Sequence, residues 1–361
     1  MNKRYFDILW SFLKLRKQNM IVPRKIYWQQ MRKYARFARK FPEQKESWVH
    51  PETYLTAVVR CISDKLLLSA DPLDPVLIVV VKDDLQRMQE LFRHYRKIGF
   101  HQFVILDNLS SDGTREYCIS QPGTRVYSVE DQYLTEKKEA WIERVITEIG
   151  FDRWYSIADS DELLNYVDSE ERPVQELIQA AEGSGFRAIQ AVLLDMYQDG
   201  PLFSKVDSRS TMQKQFRYFD KDGYSFYYAR HGIQLVLTGG PRVRVLHSHE
   251  HMSKFPLLKY DRSTYLMTAH ILWRFSRKEN SPFWCVLQHY KFLEQDIEPY
   301  RERIRAKNFG AGSRGYRAIM ETYDSHPNLS LCYSGSAEYI NSCSLKCLPL
   351  QPIPWTTHGG K

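Results

Sequence analysis

Three carboxylates fall within four residues, Asp159-Ser160-Asp161-Glu162, directly after the apolar run Trp154-Tyr155-Ser156-Ile157-Ala158. The run reads as a buried strand, and the end of a strand in an open α/β sheet is where neighbouring loops diverge and leave a crevice for ligands. Side chains alternate along an extended chain, so Asp159 and Asp161 are expected to project the same way. Like charges held side by side call for a positive partner. A hard divalent ion, Mg²⁺ or Mn²⁺, suits them, because such ions are bound by one or two carboxylates and completed by substrate phosphates. The alternative is that the acids cap a following helix by accepting its first N–H groups.

Other residues add to this chemistry. Lys82-Asp83-Asp84 follows Val76-Leu77-Ile78-Val79-Val80-Val81, and Asp107-Asn108-Leu109-Ser110-Ser111-Asp112-Gly113-Thr114 follows Phe103-Val104-Ile105-Leu106. Asp107 and Asp112 equally suit an Asx-turn ahead of Gly113. His289 sits in the apolar stretch Leu287-Gln288-His289-Tyr290-Lys291-Phe292-Leu293, as a core histidine or as an imidazole ligand. His247, His249 and His251 alternate, which on a strand would put them on one face, yet no flanking cysteine or helix supports a metal site there.

The elements that must position these residues follow from periodicity. The run at 76–81 is β-branched throughout, as in a strand covered on both faces of a parallel sheet. Leu85, Met88, Phe92, Tyr95 and Ile98 recur at helical spacing, and Gly99 stops that helix. Further strands are expected at 103–106, 124–129, 154–158 and 188–194. Helices are expected near Glu116, over 136–149, and from Pro173 through Ala181. Such a β-α-β succession implies right-handed crossovers and a parallel sheet. From about residue 200 the pattern is irregular, with a turn at 239–244, and the Pro-rich end reads as a loose tail. No G-x-G-x-x-G or G-x-x-x-x-G-K-[ST] follows a strand, which argues against dinucleotide and P-loop chemistry.

The net charge of +8 is concentrated at one end: residues 1–46 carry thirteen Lys/Arg against three acids. Tyr5-Phe6-Asp7-Ile8-Leu9-Trp10-Ser11-Phe12-Leu13 and the bases after it suit an amphipathic helix on an anionic membrane surface, or one packed on a partner. The nearly neutral remainder argues against a nucleic-acid partner. Six cysteines without a C-x-x-C pair fit a reducing cytoplasm. No stretch approaches the roughly 20 apolar residues of a spanning helix, so membrane contact is expected to be peripheral, at the inner face.

Taken in order, Lys82-Asp83-Asp84, the 107–114 segment and Asp159-Ser160-Asp161-Glu162 resemble the donor half of a GT-A fold glycosyltransferase of the family 2-like group. Asp195-Met196-Tyr197, Thr268-Ala269-His270 and the 287–293 stretch are similar to its later region. The resemblance spans roughly 75–340. It implies an α/β, Rossmann-like, mostly parallel sheet flanked by helices, divided into a basic helical arm (1–50), a nucleotide-sugar-binding half (75–200), an acceptor-binding half of the same domain (201–340) and a tail (341–361). It also implies a UDP- or GDP-sugar donor, a divalent cation on its diphosphate, and a glycan or lipid-linked acceptor. In that reading Asp159, Asp161 and His289 hold the metal, while Lys82, Asp83, Asp107, Asp159 and Lys291 contact the donor. Asp195 or Glu250 takes the acceptor proton in an inverting transfer. The alternative is a catalytically inactive scaffold that keeps the fold and binds a glycan.

Overall fold

The computed structural model describes residues 58–228, 235–262, 264–268, 271–273, 280–306 and 310–355. The basic arm lies outside the described residues, as do Ala269 and His270. Among the described residues nine strands form the central sheet: β1 (Arg60–Asp64), β2 (Val76–Val81), β3 (Gln102–Asp107), β4 (Thr124–Ser128), β5 (Arg153–Asp159), β6 (Glu162–Asn165), β7 (Ala188–Asp195), β8 (Ser253–Tyr260) and β9 (Cys285–His289). Their order is β1-β4-β3-β2-β5-β8-β7-β9-β6. Strands β2, β3, β4, β5, β7 and β9 run one way, and β1, β6 and β8 run against them.

Alternation on the strands explains the layers. Leu77, Val79 and Val81 of β2 pack with Phe103 and Ile105 of β3 against helix α1 (Leu85–Lys97), through Met88, Leu91, Phe92 and Tyr95. Val76 and Ile78, with Val104 and Leu106, face the other way. They meet Trp141, Ile142, Val145 and Ile146, from the helix that follows the short α2 (Thr114–Ser120), α3 (Thr135–Ile149). Burying a Val or Leu side chain stabilises by about 1.5–3 kcal/mol, so two covered faces fix which residues point where. Helix α1 ends where Gly99 adopts φ +97°, a conformation that is strained for any side-chain-bearing residue. Helix α4 (Val174–Gly183) joins the first layer through Leu177 and Ile178.

Several features depart from the periodicity. The 239–244 turn contains a short helix, α5 (Gly240–Arg244), and 247–251 is irregular rather than extended, so the alternating histidines share no strand face. Two helices follow β9, α6 (Ile297–Ala306) and α7 (Gly310–Ser325), the first packing Tyr300 and the second Ile319 and Met320 against Tyr197, Phe203 and Phe292. The tail is not loose through 355. Leu345 and Leu348 join the main core, and the Trp355 indole N–H donates to Asp168 at 2.9 Å.

Candidate active site

The ends of β2, β3, β5, β7 and β9 reach one edge of the sheet because these strands are co-directional. A cleft of about 1630 Å³ opens there, lined among others by Lys82, Asp83, Asp161, Glu250, His289 and Lys291. Its floor is the sharp turn at Ser160-Asp161, where β5 ends and β6 begins. That turn breaks the alternation expected of an extended chain, and the two aspartates consequently meet different partners.

Asp161 faces His289, with its Oδ2 3.3 Å from the imidazole Nε2. The opposite ring nitrogen, Nδ1, lies 2.9 Å from Oδ1 of Asp195, its register partner in the β7–β9 pairing. Asp195 is fully buried and takes a fork from Arg242 on α5, Nε to Oδ2 at 2.7 Å and Nη2 to Oδ1 at 2.8 Å. Burial alone would raise the Asp161 carboxyl, but His289, Arg87 and Lys291 hold it well below the usual range. Burial would likewise depress His289, yet Asp161 and Asp195 lift its imidazole above its ordinary value.

Asp159 is occupied differently. One of its oxygens is ion-paired with Lys138 of α3, and the other accepts from Lys254 of β8 at 2.8 Å. Lys254 also donates to Glu162 at 2.6 Å, and the second Glu162 oxygen accepts the Asp159 N–H at 3.0 Å. Burial opposes ionisation of Asp159, but the two lysines outweigh it and keep the carboxyl far below its ordinary value.

A divalent cation fits at Asp161 and His289. Together with Glu162 they offer ligand atoms that all lie within 4.8 Å of one another. Octahedral ligation at about 2.0–2.1 Å puts adjacent donors about 3 Å apart, close to the 3.3 Å between Asp161 Oδ2 and His289 Nε2. A carboxylate oxygen and an imidazole nitrogen are both donors that first-row divalent ions accept.

The remaining expected residues are scattered around the cleft. Lys82 and Asp83 line it; Asp83 has φ +48°, and its Oδ1 accepts the Ser111 N–H at 2.7 Å, clamping the loop after β2 to the loop after β3. Asp107 lies outside the cleft lining, fully buried, with Arg115 Nε at 2.6 Å. Asp195 also lies outside the lining, behind His289. Glu250 lines the cleft, and its Oε2 is 3.3 Å from Arg242 Nη1. Lys291 projects its ammonium 4.5 Å from the Tyr316 ring centre. His249 and His251 reach the wall, whereas His247 is not part of it.

Sequence reasoning missed the cations that hold this site. Lys138, Arg242 and Lys254 come from elements distant in sequence and carry no motif. Arg87 is a fourth: buried on α1, it pairs with Asp296 at 2.5 Å and donates to the Tyr290 carbonyl at 2.7 Å, fixing the segment that bears Lys291. The spacing of Arg87 three residues after Asp84, at which side chains meet on a helix, is the signal the sequence offers, and the two lie 3.3 Å apart.

No family model matches this chain, and no curated protein matches it. Among solved structures the chain is similar to the mannosyltransferase PcManGT from Pyrobaculum calidifontis in complex with GDP-Man and Mn²⁺, at 14% sequence identity and a TM-score of 0.26. The match covers 46% of this chain and 47% of that one, so this chain spans less than half the length of the neighbour it matches.

Proposed function

We propose that this protein is a metal-dependent glycosyltransferase of GT-A type, akin to the family 2-like group, moving a sugar from a UDP- or GDP-sugar to a glycan or lipid-linked acceptor with inversion. The observation that carries the reading is the Asp161–His289 pair, a carboxylate and an imidazole 3.3 Å apart at the floor of a large cleft at the sheet's edge. Asp161 and His289 would hold a divalent ion there, and it would supply Lewis-acid stabilisation of the charge on the leaving diphosphate.

The chain's own residues divide the remaining work. Lys291 faces the leaving diphosphate and offsets its charge. Lys82 and Asp83 take the nucleoside side of the donor. Asp159 serves as counter-ion to Lys138 and Lys254, which sets the turn that presents Asp161. Asp107, neutralised by Arg115, shapes the loop below the nucleoside. Glu250 accepts the proton of the attacking hydroxyl, because of the two candidate bases it is the one on the cleft wall, with its side chain about a third exposed (34%). Asp195, enclosed by Arg242 and His289, orients the imidazole. The basic arm keeps the enzyme at the cytoplasmic face of an anionic membrane, each Lys/Arg near the surface contributing about 1 kcal/mol.

Incubating the full chain with UDP- and GDP-sugars and Mn²⁺ tests the reading through release of nucleoside diphosphate, with and without chelator. Metal-dependent release from at least one donor is expected. Binding without turnover of any donor would sink the catalytic assignment in favour of a scaffold.

A further inference from the structure

The guanidinium of Arg242 touches three polar groups beside the cleft floor, Asp195, His289 and Glu250. Its Nε and Nη2 grip Asp195 at 2.7 and 2.8 Å, Nη2 also lies 2.8 Å from His289 Nδ1, and Nη1 lies 3.3 Å from Glu250. Arg242 is 5% exposed and Asp195 is 0% exposed, so solvent does not compete for the contacts between them. A planar fork presents its donors in fixed directions, which a lysine ammonium cannot reproduce.

Resting on the glycosyltransferase reading, we propose that Arg242 is a positioning residue that joins the two halves of the reaction. It holds Asp195 against His289, so that Nε2 faces the cation position, and it holds Glu250 toward the acceptor. The hydrogen-bond arithmetic supports this. An imidazole that gives its Nε2 lone pair to a cation carries its proton on Nδ1, and Asp195 Oδ1 at 2.9 Å is the acceptor placed to receive it. Arg242 Nη2 donates to the same oxygen at 2.8 Å from beside the imidazole, so the two N–H groups converge on Oδ1. Glu250 is held from the same guanidinium, so displacement of α5 would disturb the imidazole and the carboxylate together.

Electron paramagnetic resonance titration of Mn²⁺ into the full chain, with saturating UDP or GDP, tests this. Arg242→Lys is expected to weaken Mn²⁺ binding by about 10–100-fold, the range for losing an outer-sphere partner of a metal ligand. Nucleotide binding measured in chelator should be unchanged, which a general loss of fold would not allow. Asp195→Asn, of the same shape, serves as the second variant and should show the same loss even if Arg242→Lys proves unstable. Wild-type Mn²⁺ affinity in both variants overturns the inference alone. Absence of Mn²⁺ binding to the wild type with either nucleotide overturns it together with the functional reading.

Discussion

Asp159 and Asp161 are separated by a single residue, yet their surroundings give them different consequences for metal binding on mutation. Asp159→Asn removes the carboxylate paired with Lys138 and one of two paired with Lys254, lysines that are 7% and 4% exposed. Breaking a buried pair by removing one partner costs about 3–5 kcal/mol. The Asp159 side chain is 32% exposed, so solvent screens part of that and the lower end, about 3 kcal/mol, is expected. At about 2–4 °C per kcal/mol for 150–250 residues, and less for a larger domain, melting falls by at most roughly 6–12 °C. Asp161→Asn removes a carboxylate that His289, Arg87 and Lys291 hold ionised, offset in part by relief of repulsion from Asp159 and Asp84, so stability should fall there as well and does not separate the two variants. Its loss appears in metal binding, which should weaken by more than about 100-fold, beyond the usual effect of an outer-sphere partner. Urea denaturation followed by circular dichroism, paired with Mn²⁺ titration in the presence of nucleotide, reads both quantities. A stable Asp159→Asn protein that has lost Mn²⁺ as completely as Asp161→Asn would refute this division of roles.

Three further outcomes follow from the same geometry. Glu250→Gln should lower sugar transfer by about 10²–10⁴-fold, the usual worth of a general base, and leave Mn²⁺ and donor binding intact, as a split between turnover and donor affinity would record. Gly315→Ala should reduce transfer in the same selective way, because a Cβ there would overlap the Glu250 carboxylate. Burial holds the His94 imidazole down to about 4 from an ordinary 6.5, against the contrary pull of the Leu164 carbonyl. The unfolded chain therefore binds that proton first as pH falls, and stability drops between about pH 6.5 and 4 by roughly 3 kcal/mol. His94→Gln should flatten that slope in denaturation curves; an unchanged slope would show that His94 does not set it.

The parallel half of the fold was legible because its residues obey simple rules. The β-branched 76–81 run can be covered only on both faces, and the 3.6-residue spacing from Leu85 to Ile98 leaves one apolar stripe to cover one of them. What escaped notice is non-local. Strand β8 enters between β5 and β7 from nearly a hundred residues downstream of β5, and its Lys254 reaches Asp159 only through that antiparallel pairing. Period-two reasoning placed Asp159 and Asp161 on a shared side, and it failed at Ser160 because the chain turns there instead of continuing as a strand. For the same reason the alternation of His247, His249 and His251 carried no structural meaning. The pairing of Asp195 with His289 depends on the β7–β9 register, which no local pattern specifies. Trp355 looked unattached in a Pro-rich stretch, but its indole finds Asp168 and its ring lies under Arg172.

The central claim is that Asp161 and His289 bind a cation through which a nucleoside diphosphate is held. Calorimetric titration of UDP and GDP into the full chain, in Mn²⁺ and then in chelator, tests it most directly. Mn²⁺ should tighten at least one nucleotide by tenfold or more, about 1.4 kcal/mol, and that gain should vanish in His289→Ala. Equal affinity with and without metal, or a gain that survives in His289→Ala, would contradict the account.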